Sequence, residues 1–202
     1  MKTKRLITAL ILGFIITVAV SSFSGFASDC GQLSDKILRI HILANSDSEE
    51  NQTLKLAVRD AIIAETQDVF ARYTDKTELL AAAETLLPDI KQTAARVIAE
   101  NGYDYTVNAE ITNMYFTVRE YDGFTLPSGY YDAVRVTIGE AKGKNWWCVL
   151  FPQLCIPAAL DKKDVLSSVL TEKEIRMITE KTEYEFRFKL LEWLQELTQK
   201  LV

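Results

Sequence analysis

The hydrophobic period of the chain changes character at Asn101–Gly102, and that change limits the folds open to it. Before this dipeptide apolar residues recur mostly at helical spacing. After it come runs rich in β-branched and aromatic residues, "YDYTVNAEI", "MYFTVREY" and "YDAVRVTIG", which read as strands. Asp122, Gly123, Pro127 and Gly129 separate them, so an antiparallel arrangement is expected, and "NWWCVLF" follows as another strand after the Gly139–Gly143 turn. One earlier stretch also has period two. In "KILRIHILANSD", Ile37, Arg39, His41 and Leu43 alternate with Leu38, Ile40 and Ile42.

The helical parts carry their own end signals. Ser46 with Glu49, or Asp47 with Glu50, can form a capping box ahead of a helix that uses Leu54, Ala57, Val58, Ala61, Ile62 and Val69. A second helix is expected from about Thr77 to Leu86, and Pro88 suits the first turn of a third that stops at Asn101–Gly102. Near the C-terminus Thr171 and Glu174 make another capping box. "FKLLEWLQELTQKLV" then puts Leu190, Leu194, Leu197 and Leu201 on one helix face with Trp193 beside them. An N-terminal strand and helices, a central antiparallel meander and C-terminal helices together predict an α+β domain.

The N-terminus sets the compartment. Lys2, Lys4 and Arg5 precede the apolar run "LITALILGFIITVAV", and Gly25 and Ala27 then occupy the two positions a signal peptidase reads. Residues 1–27 are therefore expected to be a cleaved signal peptide and residues 28–202 a single domain. The alternative is an uncleaved anchor, since the run approaches the roughly 20 residues a bilayer needs. Either way the rest of the chain is expected outside the cytoplasm. Loss of residues 1–27 removes three of the 23 basic residues and none of the 28 acidic ones, which leaves a net charge of −8. That balance argues against a nucleic-acid partner, which needs a basic footprint.

The densest chemistry is in "GKNWWCVLFPQLC", residues 143–155, which holds two of three tryptophans and two of three cysteines. A cysteine hydrolase would need Cys148 as nucleophile and His41, the single histidine, as base. Cys148 does not sit at a predicted helix N-terminus, a usual device for lowering a thiol pKa, and His41 lies in an alternating strand. In an oxidising compartment Cys148 and Cys155 can instead form a disulfide, and two free buried thiols are the other option. The tryptophans fall on opposite faces of a strand, so one can be core while the other faces a partner. Cys30, His41, Cys148 and Cys155 are too scattered for a structural zinc site, and Cys30, left over near the cleavage site, is expected to be a free thiol on a loose end. "NSDSEE" lacks the glycine and glutamate of a calcium loop, and "GEAKGKNW" opens no helix and so lacks a P-loop's context. No cofactor and no small-molecule substrate are expected.

Two of these stretches occur together in a known family. "LRIHILANSDSEENQTLKLAVRDAI" (38–62) and "LPSGYYDAVRVTIGEAKGKNWWCVLFPQLC" (126–155), behind an apolar leader, resemble the stage II sporulation protein R family. The matching positions are His41, Ala44, Asn45, Ser46, Asp47, Lys55, Arg59 and Asp60. In the second stretch they are Gly129, Gly139, Gly143, Asn145, Trp146, Trp147, Cys148, Phe151, Pro152 and Cys155, with Gln153 where the family usually has proline. The resemblance implies a signal of endospore formation that is not itself an enzyme. Such a protein is exported from the forespore into the space between the two septal membranes, with transient membrane association through its N-terminal segment. There it activates a membrane-embedded aspartic protease of the mother cell, which processes the precursor of the early mother-cell sigma factor. If the segments around residues 41–47 and 143–147 meet, His41, Asn45, Asp47, Lys144, Asn145, Trp146 and Trp147 are the candidate contacts, a polar rim around an aromatic. The competing account has Asn45 and Asp47 capping a helix and Asn145 satisfying a turn.

Overall fold

The computed structural model describes residues 2–73, 75–152, 154 and 162–201. Its elements run α1 (Lys2–Asp35), β1 (Leu38–Leu43), α2 (Glu49–Phe70), α3 (Lys76–Glu100), β2 (Val107–Phe116), β3 (Arg119–Tyr121), β4 (Phe124–Leu126), β5 (Gly129–Ile138), β6 (Asn145–Phe151), α4 (Lys162–Ser167), α5 (Glu172–Thr179) and α6 (Lys181–Leu201). The class is α+β, as the periodicity predicts.

The strand order is β2-β5-β1-β6, with β3 and β4 forming a separate two-stranded ribbon. β2 pairs with β5 antiparallel and β1 with β6 antiparallel, while β1 runs parallel to β5. The later strands therefore do not form one continuous meander. β1 slots between β5 and β6, so β5 and β6 are joined by a turn without being neighbours. β1 is buried on both faces, as an inner strand is, with Leu38, Ile40 and Ile42 on one and Arg39 and His41 on the other.

One face of the sheet packs on α2 and α3. Leu54, Val58 and Ile62 of α2 and Leu79, Ala83, Ile90 and Ala94 of α3 meet Ile40, Ile42, Val134, Val136, Cys148 and Leu150 of the strands. The other face packs on α1, α5 and α6 through Phe26, Leu33, Met177, Ile178, Phe188 and Leu191. The sheet thus lies between two helical layers.

Three local expectations change. Pro88 lies inside a continuous α3, not at the start of a third helix. Burial of Leu79 and Ala83 before it, and of Ile90, Ala94 and Ile98 after it, keeps both halves on one face, and that packing outweighs the lost hydrogen bond. The N-cap of α2 is Ser48, whose side chain accepts from the Asn51 amide, so neither Ser46 nor Asp47 leads the cap. Cys30 is a free thiol buried at 4% exposure in the second core, and not part of a loose end. The Thr171–Glu174 capping box of α5 forms as expected, and Glu174 also pairs with Lys36 at 2.8 Å. α6 packs through Phe188 and Leu191, leaving Trp193, Leu194 and Leu197 facing outward.

Candidate functional site

The loop after β1 and the turn between β5 and β6 meet at one corner of the sheet, where backbone and side chains brace each other. The Gly143 amide donates to the Ala44 carbonyl at 2.9 Å and the Lys142 amide to the Asn45 carbonyl at 3.2 Å. The Asn45 side-chain oxygen accepts from the Glu140 amide at 2.9 Å, and Asp47 accepts from the Lys144 amide at 2.6 Å. From α2, the Lys55 ammonium reaches the Lys144 carbonyl at 3.0 Å and Gln52 at 2.7 Å. Burial, with Arg59 and Lys144 near it, lowers the Lys55 pKa, and Asp47 opposes that shift.

Two glycines permit this contact. A Cβ on Gly143 would overlap the Ser46 carbonyl and press on Ala44, and one on Gly139 would overlap the Asn45 side chain. Gly139 also has φ 56°, in the region that favours glycine. Asn45 and Asp47 therefore hold the β5–β6 turn in place of capping α2.

The brace delivers β6 against β1 in a register that pairs His41 with Trp147 and Ile40 with Cys148. His41 stacks on Trp147 with ring centroids 3.8 Å apart and 4° between planes, and its Nε2 lies 2.7 Å from the Asn145 side-chain oxygen. With that oxygen as acceptor, Nε2 carries the proton of the neutral ring. Nδ1 is buried without a hydrogen-bond partner. Burial pushes the His41 pKa down to about 4, helped by Arg135 and Arg39, while the Asn145 bond opposes it. Both tryptophans are half-buried, each beneath an arginine: Arg59 lies 5.1 Å from the Trp146 ring and Arg119 5.4 Å from Trp147. Neither is the bare anchor the alternation predicts, because residues distant in sequence cover both.

Arg39, next along the same face, is fully buried in an aromatic cage. Its guanidinium lies 3.9 Å from the Phe116 centroid and 4.9 Å from Tyr131, and it donates to the Tyr121 hydroxyl. Its Nε and Nη1 have no hydrogen-bond partner, and burial lowers its pKa. The negative faces of these neutral rings attract the guanidinium where a carboxylate usually would.

Alternation decides the Cys148–His41 dyad. Cys148 faces α2 and α3 with Ile40, and His41 faces the opposite layer with Trp147. The sheet itself separates the Cys148 sulfur from the imidazole, which stays neutral near pH 7. The corner can recognise; it does not assemble this nucleophile and base. No cluster of three or more potential metal ligands occurs among the described residues. Cys155, the expected disulfide partner of Cys148, lies outside the described residues. Of the candidate contacts, His41, Asn145 and Trp147 meet on one face of β6 and Trp146 lies on the other, with Asn45, Asp47 and Lys144 in the loops of this corner. Lys55, Arg59 and Arg119 complete it, and the sequence offers no periodic signal that ties them to it.

Fold and site define a braced α+β protein carried behind an N-terminal helix apolar enough for a signal peptide or a membrane anchor. The family model for stage II sporulation protein R matches residues 34–161. The chain is 31% identical to "Stage II sporulation protein R" of Bacillus subtilis (strain 168), over 82% of this chain and 83% of that protein. No solved structure matches it. The chain belongs to the stage II sporulation protein R family and is thus a sporulation protein.

Proposed function

We propose that this protein is the extracytoplasmic signal of endospore formation that switches on a membrane-embedded aspartic protease of the mother cell. That protease then processes the precursor of the early mother-cell sigma factor. The observation that carries the reading is the family match over residues 34–161, joined to an apolar N-terminal helix suited to export. The domain works in the space between forespore and mother cell, as a ligand and not as the protease.

The receptor contact lies at the braced corner. The Asn45 and Asp47 side chains are occupied within the protein, so their part is to position the turn. Lys144 and Asn145 are exposed, and Trp146 and Trp147 are half-exposed beside Arg59 and Arg119. Trp147 under Arg119, with Lys144 and Asn145 at its rim, matches the usual anatomy of a recognition patch, while Trp146 under Arg59 lies on the opposite face of the sheet. Cys148 of β6 forms a disulfide with Cys155. A secreted hydrolase built on Cys148 and His41 has no comparable support, given their opposite faces.

The test is co-expression with the candidate protease and sigma precursor in a host that does not sporulate. Three forms are compared: the complete chain, one lacking residues 2–27, and one carrying Cys148→Ser with Cys155→Ser. Precursor cleavage that requires the complete chain and fails without the leader is expected, with weakened cleavage for the double-serine form. Cleavage indifferent to this chain would overturn the reading.

A further inference from the structure

α1 passes through two different surroundings without a break. From Leu6 to Val20 its large apolar side chains are exposed, with Leu10 at 65% and Phe14 at 70%. From Phe23 onward the same helix enters the second core, where Phe26, Cys30 and Leu33 are buried. Phe26 packs on α6, its ring centroid 5.7 Å from Phe188 and 6.2 Å from Tyr184. Ion pairs secure the same end: Asp29 with Lys173 at 2.6 Å, and Lys36, just past the helix, with Glu174 at 2.8 Å.

We propose that α1 is a retained membrane anchor, not cut at the Gly25–Ala27 site, with residues 6–22 in the lipid bilayer and residues 23–35 built into the domain. Residues 6–22 make a helix of about 26 Å, close to the hydrocarbon thickness of a bilayer. The basic cluster ending at Arg5 stays on the cytoplasmic side and leaves the domain outside. At the other end Arg187 of α6 lines a shallow cleft with Ala19, Ser22, Phe23 and Phe26. Its guanidinium is therefore at the depth of the lipid phosphates, where a long basic side chain settles readily.

The cleavage motif is occluded by the fold. Gly25 and Ala27 are helical, and Phe26 between them is 5% exposed. A protease needs an opened, accessible chain, so once the domain has folded cutting requires Phe26 to leave α6 and the helix to unwind, and retention rests on the helix docking before the motif is cut. With no linker between span and core, the domain stands directly on the membrane that exported it. This inference concerns where the protein resides and holds whether or not it activates a protease.

The experiment is intact-mass and N-terminal analysis of the full chain with a C-terminal tag, expressed in a Gram-positive host and fractionated with alkaline carbonate. Wild type is expected uncut, in the carbonate-resistant membrane fraction, and equal in size to Ala27→Leu, which removes the small residue a signal peptidase reads. Phe26→Asp, which undocks the helix, is expected to be cut at least several-fold more. A wild-type chain beginning at Ser28, soluble and smaller than Ala27→Leu, would overturn the anchor. Phe26→Asp remaining as intact as wild type would overturn docking as the cause of retention. Signalling is not read, so failure here is distinct from failure of the protease-activator reading.

Discussion

His41 shows how one residue can be polar in composition and structural in effect. It is 3% exposed, stacked on Trp147 and bonded to Asn145. Burial takes its pKa from 6.5 down to about 4, so the unfolded chain binds the proton first as pH falls. Its contribution to stability is then complete above pH 6.5 and is lost progressively down to about pH 4. The loss is on the order of 2–3 kcal/mol. Urea unfolding at pH 7 and pH 4.5 checks this: wild type should weaken across the interval, and His41→Gln, which keeps a donor for Asn145 but does not titrate, should weaken less. Glu174 and Asp132 act at lower pH. Burial opposes their ionisation, yet bonds from Lys36 and Thr171, and from Lys76 and Asn113, outweigh it and hold both carboxyls below their ordinary range.

At the scale of elements, the brace between the β1–α2 loop and the β5–β6 turn sets how β6 meets β1. Its weakest point to substitution is Gly143, where any Cβ overlaps backbone that cannot swing aside. Gly143→Ala should cost about 1–3 kcal/mol, the usual penalty for forcing extra volume into a packed site, and denaturant midpoints would read it. It should also loosen the His41–Trp147 stack, visible as a change in tryptophan fluorescence. Legibility at this scale follows locality. The Thr171–Glu174 box spans four residues, and the alternation of Leu38, Ile40 and Ile42 is a property of the strand alone, so both are plain in the sequence. The α2 cap was displaced because Asn45 and Asp47 bond to residues 140–144, nearly a hundred positions away. Pro88 likewise marks a helix start by local rules and is overruled by the face that α3 buries.

Across the whole molecule, the second core depends on residues ahead of the expected domain boundary. A domain beginning at Phe23 should be more stable than one beginning at Ser28 by about 3 kcal/mol, since the shorter form loses Phe23 and Phe26 from contact with Tyr184 and Phe188. Urea midpoints of the two purified domains would measure the difference, and equal midpoints would place α1 outside the core. The sequence by itself determined the α+β class, the kind of each main element, the leader-like apolar segment and the two stretches that mark the family. Each of these is written in periodicity or in contiguous residues. Only the tertiary structure decided that β1 lies between β5 and β6, that His41 and Cys148 fall on opposite faces, and that α1 runs unbroken through residue 27. The reason is physical: period and caps arise between near neighbours, whereas strand order and helix docking are set by which apolar faces can cover one another across the whole chain.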